Sequence, residues 1–576
     1  MRRGSQHGID ERKRLGAFYT RSDVAEALAE WAIRTPEETV LDSSFGGCSF
    51  IAAASGILQK LGSAAPMRQV SGVDIDPQAV QFARQLEGFQ CAETNFMTAD
   101  FFTVTPDHLR GERFSVILGN PPYTRHHGLT GDQVLAARMA LDREDRRLPK
   151  TSAYWAYFVV HSLAFLARDG RLALILPSAL ITSSYGRNVR DILKAVFREV
   201  RIFIFRERLF SDAESESVVV LASDFDHANE YAEVSSGDGV EALREFAQHP
   251  GQGASINLAS DGSQWKRALL PSDATRVLAR LETQSLVKKL DELATIRIGV
   301  VTGSNRFFVL TPEEAKEARI SGRHFVPTIT SGTQIRWLSL TSVAWRRLKS
   351  SGRKSLLLVP PAGRVAGVVR SYLRSPMGKA AKAASHCTRR KVWFRFTELR
   401  RPAAFLTYIS EWAPRLMLNP KRVLCTNAVH RVWWRGKVEE EAGLSIALGV
   451  LTSATGLSAE IVGRSYGGGA LKLELGEARR LLIPVPKIPR GRLQDAAKNI
   501  CRLMGDGKWR DARELADGVV LREGLGLSEA EVRALRNAQD ALRRLRLGVR
   551  PGKAREGGEA GRGEVFDRVG AEVVRA

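Results

Sequence analysis

Asn120, Pro121, Pro122 and Tyr123 stand directly behind a short apolar run, Val116–Leu118, that Gly119 brings to an end. The two prolines fix φ and restrict the residue in front of each, so Asn120 is held extended with little freedom. A side-chain amide, a backbone carbonyl and an aromatic ring are thereby presented on a stiff support. Taken alone, the tetrapeptide also reads as a strand followed by a proline-rich turn. Three acids come before it, Asp42, Asp74 and Asp100, each close behind a short strand-like segment. After Asp42, Gly46 and Gly47 permit positive φ and close backbone approach, as a nucleoside pocket requires. Asp74 sits where a nucleotide-binding βαβ unit places a ribose-binding acid. Asp100 beside Phe101 pairs an acceptor for an amino group with a ring that can pack on adenine. Metal and thiol chemistry have little to build on. His126 and His127 are merely adjacent, and the five cysteines (Cys48, Cys91, Cys387, Cys425, Cys501) contain no CxxC pair.

These residues need strand ends to carry them. Val116–Leu118 reads as a buried strand of a parallel sheet, whose carboxyl edge is where ligands bind. Residues 39–54 give a strand ending at Asp42, a small-residue loop and a helix start. Residues 70–84 give a second strand and helix, with Asp76 as the helix cap. Residues 15–33 hold an amphipathic helix that Thr20, Ser22 or Asp23 caps, its amino end suited to a carboxylate. Residues 152–180 give a long helix, a turn at Asp169–Gly170 and a strand over 171–176. Residues 200–222 give two further strands around a loop carrying Phe210, which by itself reads as a core aromatic. The class is α/β with a mainly parallel sheet.

At 576 residues, 44% hydrophobic and 26% charged, the chain is a globular composition of two or three domains. No apolar run approaches the ~18 residues of a membrane span. The basic start has no apolar stretch behind it, so no secretory signal is expected, and the cysteine usage suits a reducing cytoplasm. A net charge of +23 favours a polyanionic partner, nucleic acid before an acidic membrane surface. In the second half, basic residues interleave with aromatic ones over 385–396, 414–434 and 464–486. Arg336, Arg346, Arg347, Lys349, Arg353 and Lys354 add a cluster suited to phosphates and base edges. Residues 125–150 are expected as a mobile flap, Tyr466 with Gly467–Gly469 as a tight loop, and 488–548 as charged helices.

The cofactor-like segments followed by Asn-Pro-Pro-Tyr resemble the gamma-class (Taq-type, type IIG-like) S-adenosylmethionine-dependent DNA adenine N6-methyltransferases of restriction–modification systems. The resemblance runs motif by motif over about residues 12–225 and more loosely over 285–487. It implies a Rossmann-like methyltransferase domain, then a mixed α/β DNA-recognition domain and a helical C-terminal region. The expected domains are 1–225 (catalytic), 226–284 (connector), 285–490 (target recognition), 491–548 (helical) and 549–576 (disordered tail). By resemblance, Asp42–Phe50 surround the methionine part of S-adenosyl-L-methionine and Thr20 contacts it. Asp74 holds the ribose hydroxyls with Ile75 beside the adenine, Asp100 and Phe101 bind that adenine, and Phe158 packs on it. Asn120, Pro121, Pro122 and Tyr123 are the catalytic motif, and Phe210 packs against the target base. The family commonly has Asp-Pro in the glycine loop and a second glycine two residues after the first. Here those positions are Ser43 and Cys48, both small enough for the loop to close.

The implied reaction is methyl transfer to the exocyclic nitrogen of an adenine flipped out of double-stranded DNA. It needs no metal and no covalent intermediate. A methyltransferase for RNA or a protein glutamine, and a non-catalytic DNA-binding modification subunit, are the alternatives. The large basic second half argues against the first and the intact Asn120–Tyr123 against the second. Because the motifs begin close behind Met1, any restriction endonuclease is expected to be separately encoded.

Overall fold

The computed structural model describes residues 20–109, 111, 113–123, 131–143, 148–149, 152–205, 217–258, 262–361, 363–396, 398–466 and 470–547. They fall into two compact units divided between Leu269 and Leu270.

In the first unit nine strands form one sheet. They are β1 (Val40–Asp42), β2 (Val70–Asp74), β3 (Phe96–Thr98), β4 (Phe114–Gly119), β5 (Leu166–Pro177), β6 (Phe197–Phe205), β7 (Ser217–Phe225), β8 (Tyr231–Gly237) and β9 (Ala254–Asn257). Their spatial order is 3-2-1-4-5-7-6-8-9. Every pairing from β3 across to β5 is parallel, while β7 runs antiparallel to both β5 and β6. The expected mainly parallel α/β sheet is what forms. Strands β1, β4 and most of β7 are buried along nearly their whole length, as strands covered on both faces are.

Its helices include α1 (Ser22–Ala32), α2 (Ser49–Lys60), α3 (Pro77–Ala83), α4 (Gly131–Arg143), α5 (Tyr154–Ser162), α6 (Ser184–Val196) and α7 (Gly239–Gln248). Helix α1 buries Val24, Ala25, Leu28 and Ala32, the apolar stripe of its sequence, against α2 and α7. Its expected side-chain cap does not form. Arg21 is the N-cap residue and makes no capping bond, and Thr20 turns to the site instead.

Two sequence expectations are refined. Asp169–Gly170 is not a turn before a strand but an irregularity inside β5, with Asp169 at φ 60° and a register shift against β4. An extra stretch accommodated within one strand is a bulge, which local sequence reads as a turn. Residues 226–284, expected as a connector, are divided between the units. Strands β8 and β9 join the sheet through the parallel pairing of Val200–Phe205 with Ala232–Gly237, while the helix Ser272–Thr283 belongs to the second unit. The strand YAEVSSG is short and polar, so its place in the sheet is visible only from its neighbour. The tail 549–576 and residues 125–130, 144–147 and 150 of the expected flap lie outside the described residues, while 131–143 of that flap is α4.

The second unit carries two four-stranded sheets. One joins Ala294–Ile298, Val429–Trp434, Ala404–Thr407 and Leu416–Leu418, all antiparallel. The other joins Val309–Leu310, Leu356–Leu358, Phe325–Ile329 and Leu424–Cys425. Buried helices Glu440–Leu451 and Ser453–Val462 meet at a bend of 63°. Helices Arg490–Gly505, Trp509–Ala516 and Glu529–Leu547 follow, the last packing on Ser453–Val462 and Ser272–Thr283. No single helix among the described residues is long and apolar enough to cross a membrane.

Candidate active site

Parallel pairing decides where the chemistry falls. Asp42 is level with Gly72 on one side and Leu118 on the other, and Asp74 is level with Thr98. The carboxyl ends of β1, β2, β3 and β4 therefore lie along one edge. Asp42, Asp74, Asp100 and Asn120 are delivered there, each at or just beyond its strand end.

The loop after β1 turns sharply. Phe45 is buried edge-on against Phe96 at 5.7 Å, and the Cys48 amide donates to the Phe45 carbonyl at 2.7 Å. Gly46 lies at φ 42° and Cys48 at φ 63°, in the left-handed region. Cys48 is the position where the related loops carry a second glycine, and the backbone keeps the glycine conformation with a cysteine in it. The Gly46 amide donates to Asp74 Oδ2 at 2.8 Å, and the Asp76 amide to Asp74 Oδ1 at 2.8 Å. Asp76 in turn caps α3 by accepting from the Gln78 amide at 2.9 Å.

Asp42 is 1% exposed, and its Oδ1 accepts from the Ser44 amide at 3.0 Å. Its Oδ2 and the buried Ser43 hydroxyl have no hydrogen-bond partner among the described residues. Burial pushes the Asp42 carboxyl up to about 8, and the nearby Asp74 charge adds to the rise. Burial also raises Asp74, opposed by its two amide donors, and it pushes the Cys48 thiol up to about 12. Two buried carboxyl groups that feel each other's charge resist ionising together.

At the end of β4, Asn120 is half-buried and anchored from two directions. Its Nδ2 donates to the Thr20 hydroxyl at 3.3 Å, and its carbonyl accepts from Ser44 Oγ at 3.3 Å. Ser49 Oγ donates to the Thr20 carbonyl at 2.8 Å, tying that residue to the start of α2. Gly119 is needed for close approach, because a Cβ there would meet Asp42 Oδ1 at 3.3 Å. Pro121 is buried, and the Tyr123 hydroxyl shares a 3.3 Å hydrogen bond with Ser217 Oγ at the start of β7. Burial raises the Tyr123 phenol well above its ordinary value.

Asp100 caps the following turn by accepting from the Phe102 amide at 3.1 Å, and burial raises its carboxyl. Phe101 and Phe158 are 2% and 5% exposed and stack on each other at 5.4 Å and 27°. The two rings expected to contact an adenine stack on each other instead, with no gap for a base between them, inside a cluster that includes Phe102, Tyr154, His161 and Phe165. Ile75 is 48% exposed beside Asp74. Phe210 lies outside the described residues, as do Gly467–Gly469.

Sequence reasoning included Ser44 and Ser49 only as part of Asp42–Phe50, without their bonds to Asn120 and Thr20, and missed Ser217 and His161. The His161 ring is buried with Nε2 3.1 Å from the Phe101 carbonyl and 3.2 Å from that of Val104, which fixes the Asp100 turn. A polar residue inside the otherwise apolar helix WAYFVVHS was the available signal. The serines gave none, since small polar residues are ordinary in loops. Of the second-half basic cluster, Arg353 donates to Thr333 Oγ1 at 2.7 Å, Arg336 donates to the Thr333 carbonyl at 3.1 Å, and Lys354 faces Glu314 at 3.7 Å.

Comparison with known proteins gives two family matches. Residues 5–221 match the family described as N-6 DNA Methylase, and residues 262–521 match the family described as Type II methyltransferase M.Eco57I, C-terminal domain. The Type II methyltransferase M.AccI of Acinetobacter calcoaceticus is 22% identical over 480 residues, covering 81% of this chain and 84% of that protein. The Type II methyltransferase M.XamI of Xanthomonas campestris pv. amaranthicola is 22% identical over 489 residues, covering 82% and 85%. Among solved structures, the type IIG restriction endonuclease BpuSI aligns over 94% of this chain and 67% of its own, with a TM-score of 0.49 and 15% identity.

Proposed function

We propose a residue-level mechanism for a chain that belongs to the N6-adenine DNA methyltransferases of restriction–modification systems. The observation that carries it is Asn120, held at the end of β4 by Thr20 on its side chain and Ser44 on its carbonyl.

The pocket fits S-adenosyl-L-methionine. The buried Asp42 Oδ2 and Ser43 Oγ suit N–H donors of a cationic amino-acid moiety, and Gly46 and Gly119 keep the space free of Cβ atoms. In this reading Thr20, Asp42 and Gly46 hold the methionine part, Asp74 the ribose hydroxyls, and Ile75, Asp100 and Phe101 the adenine, with Phe158 backing the Phe101 ring. The bound cofactor supplies a methyl group already activated by the positive sulfonium.

The chain's own residues do the rest. An exocyclic amino nitrogen is a poor nucleophile because its lone pair is delocalised into the ring. The Asn120 side-chain oxygen and the Pro121 carbonyl accept its two hydrogens, which favours a tetrahedral nitrogen with its lone pair available. Thr20 matters because it accepts from Nδ2 and so turns the amide oxygen the other way. The prolines keep both acceptors from moving, so the contribution is one of positioning and preorganised electrostatics. Reaching that nitrogen requires the base to leave the duplex, at a cost of a few kcal/mol. Stacking on an aromatic ring returns about 1–3 kcal/mol. Tyr123, pinned by Ser217, is one such ring, and Phe210 is proposed as the other.

Double-stranded DNA is the substrate, held by the basic second half. We further place the chain in the cytoplasm alongside a separately encoded restriction endonuclease; the free thiols of Cys48, Cys387, Cys425 and Cys501 support a reducing compartment. The test is methyl transfer from labelled cofactor to double-stranded DNA by the purified chain. Asn120→Ala should lower kcat by at least about a hundredfold, the loss typical of a deleted transition-state partner, with cofactor affinity retained. Undiminished activity in that variant refutes the role of Asn120, and transfer to RNA or protein alone refutes the substrate.

A further inference from the structure

The second unit contains an open cleft of about 620 Å³ lined by Arg400, Arg401, Arg422, Asn419 and Trp433, among others. We infer that this cleft is a backbone-phosphate clamp for the DNA strand, reading charge and not sequence. The inference rests on the proposed double-stranded DNA substrate.

The charge balance is the first argument. Arg400, Arg401 and Arg422 are exposed, and none has a carboxylate within ion-pairing distance among the described residues. The neighbouring acid Glu398 is already shared by Arg297 and Arg431, each at 3.4 Å. Three exposed arginines lining one cleft without a counter-charge fit an anion with several oxygens.

Preorganisation is the second. Asn419 is buried and staples the two walls together. Its Nδ2 donates to the Pro402 carbonyl at 2.8 Å and the Val423 carbonyl at 2.9 Å, and its Oδ1 accepts from the Val423 amide at 3.0 Å. Arg422 itself lies at φ 50°, left-handed, where glycine is the easier residue. An arginine kept at that turn places a positive charge on the wall that glycine could not.

The state of Trp433 decides phosphate against base. Arg400 covers the ring at 5.2 Å and the buried Arg431 at 5.1 Å, and the indole Nε1 donates to the Arg401 carbonyl at 3.0 Å. Both guanidiniums already occupy the ring and its one donor is used, so the indole is poorly placed to stack an unpaired base or read a base edge. It serves to brace the arginines.

The experiment is DNA binding by fluorescence anisotropy as a function of salt, with the full chain, on a duplex that it methylates and on one that it does not. Each phosphate contact contributes about 0.9 to the slope of log affinity against log salt. Arg400→Gln/Arg401→Gln/Arg422→Gln should lower that slope by about 2–3 and weaken both duplexes equally. The corresponding triple lysine variant should keep the slope, because a point charge suffices for phosphate but not for bidentate reading of guanine. An unchanged slope in the glutamine variant, or a loss confined to the methylated duplex, overturns the clamp. Wild-type chain that neither binds nor methylates DNA would instead overturn the functional reading beneath it.

Discussion

Replacing Asp42 by Asn separates two consequences of burying one carboxyl group. Asp42 is pushed from 3.8 up to about 8, first by burial and then by the Asp74 charge. The folded chain therefore binds this proton more tightly than the unfolded chain does. The resulting stability is fully present below about pH 4 and is lost as pH rises through about 8. Within that window the slope is about 1.4 kcal/mol per pH unit for one group, on the order of 5 kcal/mol across it. Asn keeps the size and the acceptor for Ser44 but cannot ionise, so Asp42→Asn should flatten the pH dependence and raise stability at alkaline pH. Asp74 is also raised and remains in both proteins, so the difference between them reports Asp42 together with its coupling to Asp74. Cofactor binding should move the opposite way. A cationic amino group needs the ionised carboxylate, so wild-type affinity for S-adenosylmethionine should rise by up to about tenfold per pH unit toward pH 8, with proton release. The variant should bind weakly, with a shallower pH dependence that comes from Asp74 alone. Urea unfolding at several pH values measures the first effect, and titration calorimetry in two buffers of different ionisation enthalpy measures the second. Parallel stability curves for the two proteins, or wild-type binding without proton release, would refute the reasoning.

Two further substitutions test the frame around the site. Thr20→Val removes the acceptor that orients the Asn120 amide and, in the proposed reading, a contact to the methionine part of the cofactor; it should cost about 1–3 kcal/mol in the barrier, read as lower kcat together with weaker cofactor binding, with melting temperature nearly unchanged. At Cys48 the left-handed backbone should invert the usual preference for alanine: Cys48→Gly should be more stable than Cys48→Ala by about 1 kcal/mol in thermal or urea unfolding, and the reverse order would show that the loop relaxes around the side chain.

The sequence by itself determined the strand ends and what they carry. Val116–Leu118 followed by Asn-Pro-Pro-Tyr is a local signal, because an apolar run makes a buried strand and proline stiffness acts on adjacent residues. The same holds for Asp42, Asp74 and Asp100, whose strands pair in parallel and so share one edge. Only the tertiary structure decided how these groups are held. Thr20 reads locally as one possible helix cap, yet it is bonded to Asn120, a hundred positions away. Cys48 reads as a lost glycine, yet the backbone there stays left-handed. Asp42 reads as an ordinary carboxylate, and its raised pKa comes from burial and from Asp74 on another strand. Phe101 and Phe158 read as two separate rings, and packing stacks them on each other. Residue type and local spacing choose the strand, the turn and the groups they present. Hydrogen-bond partner, proton affinity and ring contact depend on what other segments bring within a few ångströms, which no local pattern records.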